Sequence, residues 1–454
     1  MLRALLLFQI LYTVYQSHYY FETGIPGINL PNVLFLVCWV MVLRAPRVEE
    51  VTAPAILKRS VMVWYGALVF AFLMALARFP GEFMLDVNYL RSALFSPLLY
   101  FLYLRSKQSL EDTRWMAIAV MVVAAIAGLQ AIRQGLDYGI GSYNETHRAS
   151  GPFGADYRDA NRAGIYYCIF LPMFIGLALF LRKQKLWFFA ALGGVALLAF
   201  AILVTYSRQS YFIALLGAAL VLVRRSTILA VVFSVLALIA IPLLPGSVTE
   251  RVAETAQEDV YGTEVIDDST ASRWEIWSGG LRMAATNPLG VGLNRFKTRI
   301  GEYVPRYKGY DAHNFYVLTL AEMGIQGLIA LGLVFLALFK LGLFLRRNVP
   351  PGDSEAMALA VGFMVTTISV GLGNLYGSPF LEANVLGTYW ILCGVLERYM
   401  QLKQQALAGT GDGRAISETE AIEKFPLITR ANPGLNRPGL RPGANDPQLR
   451  GGQR

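Results

Sequence analysis

Residues 186–206 read LWFFAALGGVALLAFAILVTY, a run with no charged side chain. Arg182, Lys183 and Lys185 stand just before it, and Arg208 just after. An α-helix rises 1.5 Å per residue, so about 20 apolar residues cross the roughly 30 Å hydrocarbon core of a bilayer. This run is long enough, and too uniformly apolar to be the inner face of a water-exposed helix. Working outward from it, similar blocks lie near 4–20, 29–43, 60–77, 88–104, 115–131, 163–181, 209–223, 227–245, 314–339, 356–374 and 381–399. The fold expected is an all-α polytopic membrane protein with about twelve transmembrane helices.

Composition agrees. Apolar residues make up 55% of the 454, and charged residues only 16%, against about 25% in soluble domains. That balance excludes a soluble enzyme, a secreted disulfide scaffold and a disordered chain. Cys38, Cys168 and Cys393 each sit inside an apolar block without a close partner in sequence, so neither disulfides nor zinc are expected. Arg3 followed by an apolar run, with no small-residue cleavage site, reads as a retained first span.

The net charge is +9, but the basic residues cluster in short loops. That is a topology signal and not a nucleic-acid surface. Arg44, Arg47, Lys58 and Arg59 share one loop set with Arg105, Lys107 and Arg114, with Arg182, Lys183 and Lys185, with Arg224 and Arg225, and with Lys340, Arg346 and Arg347. The alternate short loops are nearly free of Lys and Arg. The positive-inside rule therefore places both termini in the cytoplasm. Residues 1–245 hold the first nine spans, including an outward loop at 132–162. Residues 246–312 form a large outward loop subdomain, and 313–400 the last three spans. Residues 401–454, rich in Gly, Pro, Asn and Arg, read as a disordered cytoplasmic tail.

Chemistry is sought on the outward side, since the sequence has no Walker-type loop, and Gly290-Val291-Gly292 lacks a third glycine and a βαβ setting. With three histidines and no metal-ligand spacing, no metal and no cofactor are expected. Ser272 and Glu275 have the spacing of a capping box, opening a helix to about Thr286 that Pro288 ends. Arg273 would then sit in the first turn, near a natural anion site, or pair at the surface with Asp267 or Asp268. Trp274, Trp277 and Leu281 share a face suited to the membrane interface. Arg208, on a short outward turn, either snorkels or serves a function. Asp311 is read as the cap of the tenth span, and His313 beside it as either structural or a proton-transfer group. Glu322 falls on the opposite helical face, so no His–Glu dyad is expected. In the 132–162 loop, Arg148, Arg158 and Arg162 add positive charge that Asp156 and Asp159 are placed to neutralise.

Three segments carry a resemblance: RASGPFGADYRDAN, TYSRQSY, and SRWEIWSGGLRMAATNPLGVGLNRF followed by DAHNFYVLTLAEMGIQGLIAL. Across roughly residues 145–335 the chain resembles the bacterial O-antigen ligase and polymerase family. The first segment is looser, with extra residues between Gly151 and Asn161. The resemblance implies a GT-C-like bundle in the bacterial inner membrane with a periplasmic active site. It implies transfer of glycan from an undecaprenyl-diphosphate carrier, without metal, to a sugar hydroxyl of a lipid-linked repeat unit or of lipid A-core. Carried over by position, His313 is the base, Arg208 and Arg273 grip the diphosphate, and Arg148, Arg162, Asn161 and Asn314 contact substrate. Implied partners are the lipid-linked glycans, membrane lipids and a chain-length regulator, with no nucleic acid. Polymerase is preferred over ligase because polymerases are numerous. The alternatives are a multi-span transporter or flippase, or a non-catalytic partner in envelope assembly. Near-charge-free mid-span regions and the lack of a repeat argue against transport.

Overall fold

A computed structural model describes residues 1–19, 29–46, 51, 53–139, 144–154, 156, 159–240, 246–253, 256–258, 264–266 and 268–409. In chain order the helices are α1 (Leu2–Tyr15), α2 (Leu30–Arg44), α3 (Lys58–Arg78), α4 (Phe83–Leu104), α5 (Leu110–Tyr138), α6 (Ala160–Phe180), α7 (Lys185–Val204) and α8 (Arg208–Arg225). There follow α9 (Thr227–Ala240), α10 (Gly246–Ala253), α11 (Asp268–Thr286), α12 (Phe296–Tyr303), α13 (Phe315–Arg347), α14 (Ser354–Gly373) and α15 (Ala383–Gly409). Each apolar block read from the sequence falls on its own helix. Of these, α3, α5, α6, α7, α13 and α14 are long and apolar enough to cross a membrane, and α1, α2 and α9 are shorter apolar helices. Charges set α4, α8 and α15 apart: Asp86 and Arg91 lie within α4, Arg208 and Arg225 bound α8, and Glu397 and Arg398 lie within α15. One small departure from an all-helical fold is a hairpin of two strands, Ala256–Glu258 and Glu264–Ile266, paired antiparallel.

Side chains start several helices where the sequence offers a cap. Ser109 accepts from the Asp112 amide at 3.0 Å to open α5, and Asp353 accepts from the Ala356 amide at 2.9 Å to open α14. Helices α6 and α14 form the centre of the bundle and are its most buried apolar helices. They approach closely because small residues face each other. A Cβ on Gly176 would lie 2.7 Å from the Ala358 carbonyl oxygen, and one on Gly362 2.9 Å from the Met173 Cα. Without a hydrophobic drive between helices in lipid, such contacts hold them together.

The basic loops gather at one end of this bundle. Arg114 at the start of α5 pairs with Glu355 at the start of α14 at 2.7 Å, and Arg3 pairs with Asp112 at 2.7 Å. The other ends of the same helices carry the outward residues singled out above. Residues Met1–Lys403 form one compact unit. Helix α15 runs past the expected boundary at residue 400 to Gly409, because nothing before Gly409 breaks the helical pattern. The rest of the expected tail lies outside the described residues, as does Arg158.

Candidate active site

The site is built on an interlock between two motifs. Helix α13 breaks at Gly324, which takes φ 69 and ψ −169. The break frees the carbonyls of Ala321 and Glu322, and the turn after α11 fills the gap. The amides of Val291 and Gly292 donate to those carbonyls, each at 2.9 Å, and Ile325 donates to the Pro288 carbonyl at 3.1 Å. Backbone groups removed from water must find partners. Here the NPLGVG turn supplies what the interrupted helix lacks. Two glycines make the fit possible: a Cβ on Gly324 would lie 2.4 Å from the Pro288 oxygen, and one on Gly290 (φ 88) 2.3 Å from the Glu322 oxygen. Gly324→Ala should therefore lower the thermal unfolding midpoint in detergent, with backbone strain alone costing about 1–3 kcal/mol. An unchanged midpoint would mean that the interlock contributes nothing.

Glu322 is buried, and its two oxygens accept from the amides of Phe296 at 2.8 Å and Asn294 at 3.0 Å. Those bonds occupy the carboxylate, which fits the expectation of no His–Glu dyad. Arg295, at the end of the turn, is buried against Asp86 of α4. One guanidinium nitrogen lies 2.7 Å from Asp86 Oδ1, a second nitrogen meets Oδ2, and Nε donates to the Phe79 carbonyl at 2.6 Å. Asn294 adds a bond to Asp86 Oδ1 at 3.0 Å.

His313 is presented by a strained turn. Its φ of 48 lies in the left-handed region, which is costly for a residue with a Cβ. Neighbours hold it there. Trp277 Nε1 donates to the Ala312 carbonyl at 2.8 Å, and Asp311 Oδ1 accepts from the Ala312 amide at 2.7 Å. On the other side, Asn314 Oδ1 accepts from Tyr316 at 2.9 Å and Val317 at 3.1 Å, and the Phe315 amide donates to the Asn374 carbonyl at 2.9 Å. Ala312 and Asn314 are buried while the imidazole between them is exposed.

Charged groups ring that imidazole. Crowding by the surrounding residues disfavours its charged form, and Arg273, Lys297 and Arg162 repel a second positive charge. Together they outweigh the pull of Asp311 and hold His313 below the ordinary histidine range. Its neutral, proton-accepting form therefore persists to lower pH than usual. If His313 is the base, the acidic limb of kcat/KM should lie below about pH 6.5. Arg273→Gln removes a repelling cation and should move the limb up; Asp311→Asn removes the attraction and should move it down. A pH–rate series on protein in liposomes checks both signs, and a limb indifferent to both changes would belong to another group.

Arg162, on α6, is bracketed by Asp159 at 2.7 Å and Glu382 at 2.9 Å. Lys297 lies 3.6 Å from Asp311. A cavity of about 290 Å³ opens beside Lys297, Asp311 and Glu382, lined also by Tyr89, Asn294 and Glu322 among others.

Arg148 is a brace in the adjoining wall. It is buried, donating from Nε to the Thr205 carbonyl at 3.0 Å and from Nη2 to Asn161 Oδ1 at 2.6 Å. It thereby ties the start of α6, which carries Asn161 and Arg162, to the turn before α8, which carries Arg208. Close packing of Gly164 on Ser210 and Thr205 brings those two helix starts together. Arg208 is half-buried as the first residue of α8.

Several local expectations are corrected. Helix α11 begins at Asp268, so Ser272 is not its cap and Arg273 lies in the second turn, clear of the positive pole. The run from Asp267 to Thr270 offers an earlier polar start. Its end at Thr286 is as expected. Trp274 and Leu281 are exposed, but Trp277 turns inward, 5.9 Å from the Tyr376 ring. Asn314, not Asp311, caps α13, because Asp311 is spent on the next amide. Sequence reading missed Glu382, Lys297, Asn374 and the Asp86–Arg295 pair. A charge at a span boundary is costly without a partner, and that signal pointed to Asp86 and Glu382.

The fold and site together define a multi-pass helical membrane protein with a charged cavity, and a histidine within electrostatic reach of its Asp311 and Lys297, at the end opposite its basic loops. The O-antigen ligase family model matches residues 193–332, a stretch that includes Arg208, Arg273 and His313. The chain is also 26% identical, over 299 residues, to ExoQ of Rhizobium meliloti strain 1021, an exopolysaccharide production protein; the match covers 62% of this chain and 64% of the relative. These matches bear out the resemblance, carried by the motifs, to the O-antigen ligase and polymerase family.

Proposed function

We propose that this protein transfers glycan from an undecaprenyl-diphosphate carrier to a sugar hydroxyl of a second lipid-linked glycan, at the outward face of a bacterial inner membrane crossed twelve times. The observation that carries this reading is His313, exposed on a strained and braced turn, among Arg273, Arg162 and Lys297. In the proposed step the acceptor hydroxyl oxygen bonds to the anomeric carbon of the donor sugar. The bond from that carbon to the carrier's diphosphate oxygen breaks, and the diphosphate leaves with the electron pair. Neutral His313 takes the hydroxyl proton. Guanidiniums offer forked donors to the leaving phosphates, and charge placed where it develops in the transition state accelerates the step. We assign this role to Arg273, whose charge reaches His313. Arg208, beside the wall that Arg148 and Asn161 brace, is assigned the same role, and Arg162, Asn161 and Asn314 are assigned contacts with substrate.

Polymerisation is favoured over ligation. An exopolysaccharide is made by growing a chain, and exopolysaccharide production is the role named for the Rhizobium relative. The test is the length profile of lipid-linked and surface glycans in cells with and without the protein. Single repeat units accumulating on the carrier identify a polymerase. Long chains stranded on the carrier identify a ligase. Repeat units trapped on the cytoplasmic leaflet identify a flippase and refute the proposal.

A further inference from the structure

A second cavity, of about 210 Å³, adjoins the candidate active site, sharing Ser92 and Leu381 with it as a common wall. Arg91 of α4 lines it. Among the described residues Arg91 makes no hydrogen bond or ion pair, and its Nε is sealed from solvent without an acceptor. Buried donors in native proteins nearly always have partners, so an orphaned one asks for an explanation. Among the described residues no Asp or Glu lines the cavity. Two helices also start at its edge: α2, where Asn29 caps the Asn32 amide at 3.1 Å, and α15, whose first two residues are Ala383 and Asn384. Helix starts carry positive partial charge and favour anions. One guanidinium and two helix starts thus converge on a single pocket. Around them stand the side-chain amides of Gln16 and Asn384, groups that both donate to and accept from hydroxyls.

We infer that this cavity is a subsite for a glycan unit bearing a carboxylate, a uronic acid of the chain undergoing transfer. Arg91 grips the carboxylate with its fork, and Gln16 and Asn384 read the ring hydroxyls. A single cation among amides suits one negative charge on a sugar. The carrier's diphosphate finds a denser match among Arg273, Arg162 and Lys297 across the shared wall. The inference rests on the glycan-transfer reading for the source of its ligand, and it assigns substrate preference to residues outside the reacting centre.

The test is binding, so that it does not depend on turnover. Full-length protein in lipid nanodiscs is titrated with three probes: a tetrasaccharide containing glucuronic acid, the same sugar with its carboxyls reduced to alcohols, and inorganic diphosphate. Wild type should bind the acidic sugar at least tenfold more tightly than the reduced one. Arg91→Gln should erase that preference, and Arg91→Lys should keep part of it. Arg273→Gln should leave it intact while weakening diphosphate binding. Should Arg91→Gln fail to fold, Asn384→Asp offers the second variant: a carboxylate at that position should remove the preference by repulsion. The subsite is refuted by equal affinity for the two sugars in wild type, by a preference that survives Arg91→Gln, or by diphosphate displacing the acidic sugar. A carboxylate preference in a protein that transfers no glycan would uphold the subsite and refute the transferase reading instead.

Discussion

His313→Ala should abolish glycan transfer, by at least about 100-fold on the usual scale of general acid–base catalysis, and leave the chain folded and inserted. The expectation that folding survives comes from the site's construction. The turn is held by its neighbours: Trp277 and Asp311 fix Ala312, and Asn314 and Asn374 fix the start of α13. The imidazole itself is exposed and makes no hydrogen bond among the described residues, so its removal leaves no cavity and no stranded donor. The measurement is single-turnover transfer with a radiolabelled lipid-diphosphate glycan, alongside the unfolding midpoint in detergent. Loss of transfer at an unchanged midpoint assigns the proton to His313. Transfer at the wild-type rate would pass that role to Glu382 or to the substrate.

Asp86→Ala should cost about 3–5 kcal/mol of stability, the penalty for leaving a buried charge without its partner. The Arg295 side chain is only 6% exposed, and Asp86 is its buried counter-ion. The loss should spread beyond the pair, because Arg295 ends the turn that repairs α13 and Asn294 leans on the same carboxylate. Transfer should therefore fall with stability. Asp86→Ala combined with Arg295→Met should recover most of the midpoint, since an apolar replacement of similar volume removes the stranded charge. A single variant as stable as wild type, or a double variant no better than the single, would show that the pair does not anchor the turn.

The parts of the molecule set by one-dimensional pattern were legible in the sequence. Apolar runs bounded by charged clusters located the helices, and loops with an excess of Arg gathered at one end, where Arg114 meets Glu355. The end of α11 followed from Pro288. His313, Arg273 and Arg162 were read separately from the sequence, and the fold brings both arginines within electrostatic reach of the histidine. What the sequence concealed depends on distance along the chain. Glu382 and Arg162 are far apart in sequence, as are Asp86 and Arg295, and no periodicity links them. The cap of α13 was misassigned because Asp311 and Asn314 are both good capping residues, and only the path of the backbone at His313 decides between them. Arg148 looks like a free cation in sequence, yet its donors go to Asn161 and the Thr205 carbonyl.

The clamped ends of the segment between Phe296 and Ala312 bear on how such a protein diversifies. Its beginning is pinned by Glu322 and Asp86, and its end by Trp277. Midway between them Tyr303 is tied to Thr286 and Asn287 and Tyr307 is buried, while Pro305, Arg306, Lys308, Gly309 and Tyr310 are exposed. At the exposed positions composition can drift through many generations while the imidazole stays where it is. Inheritance can thus explore new acceptors in this stretch with the reacting centre insulated from the trial, and a grafting experiment should begin at the same place.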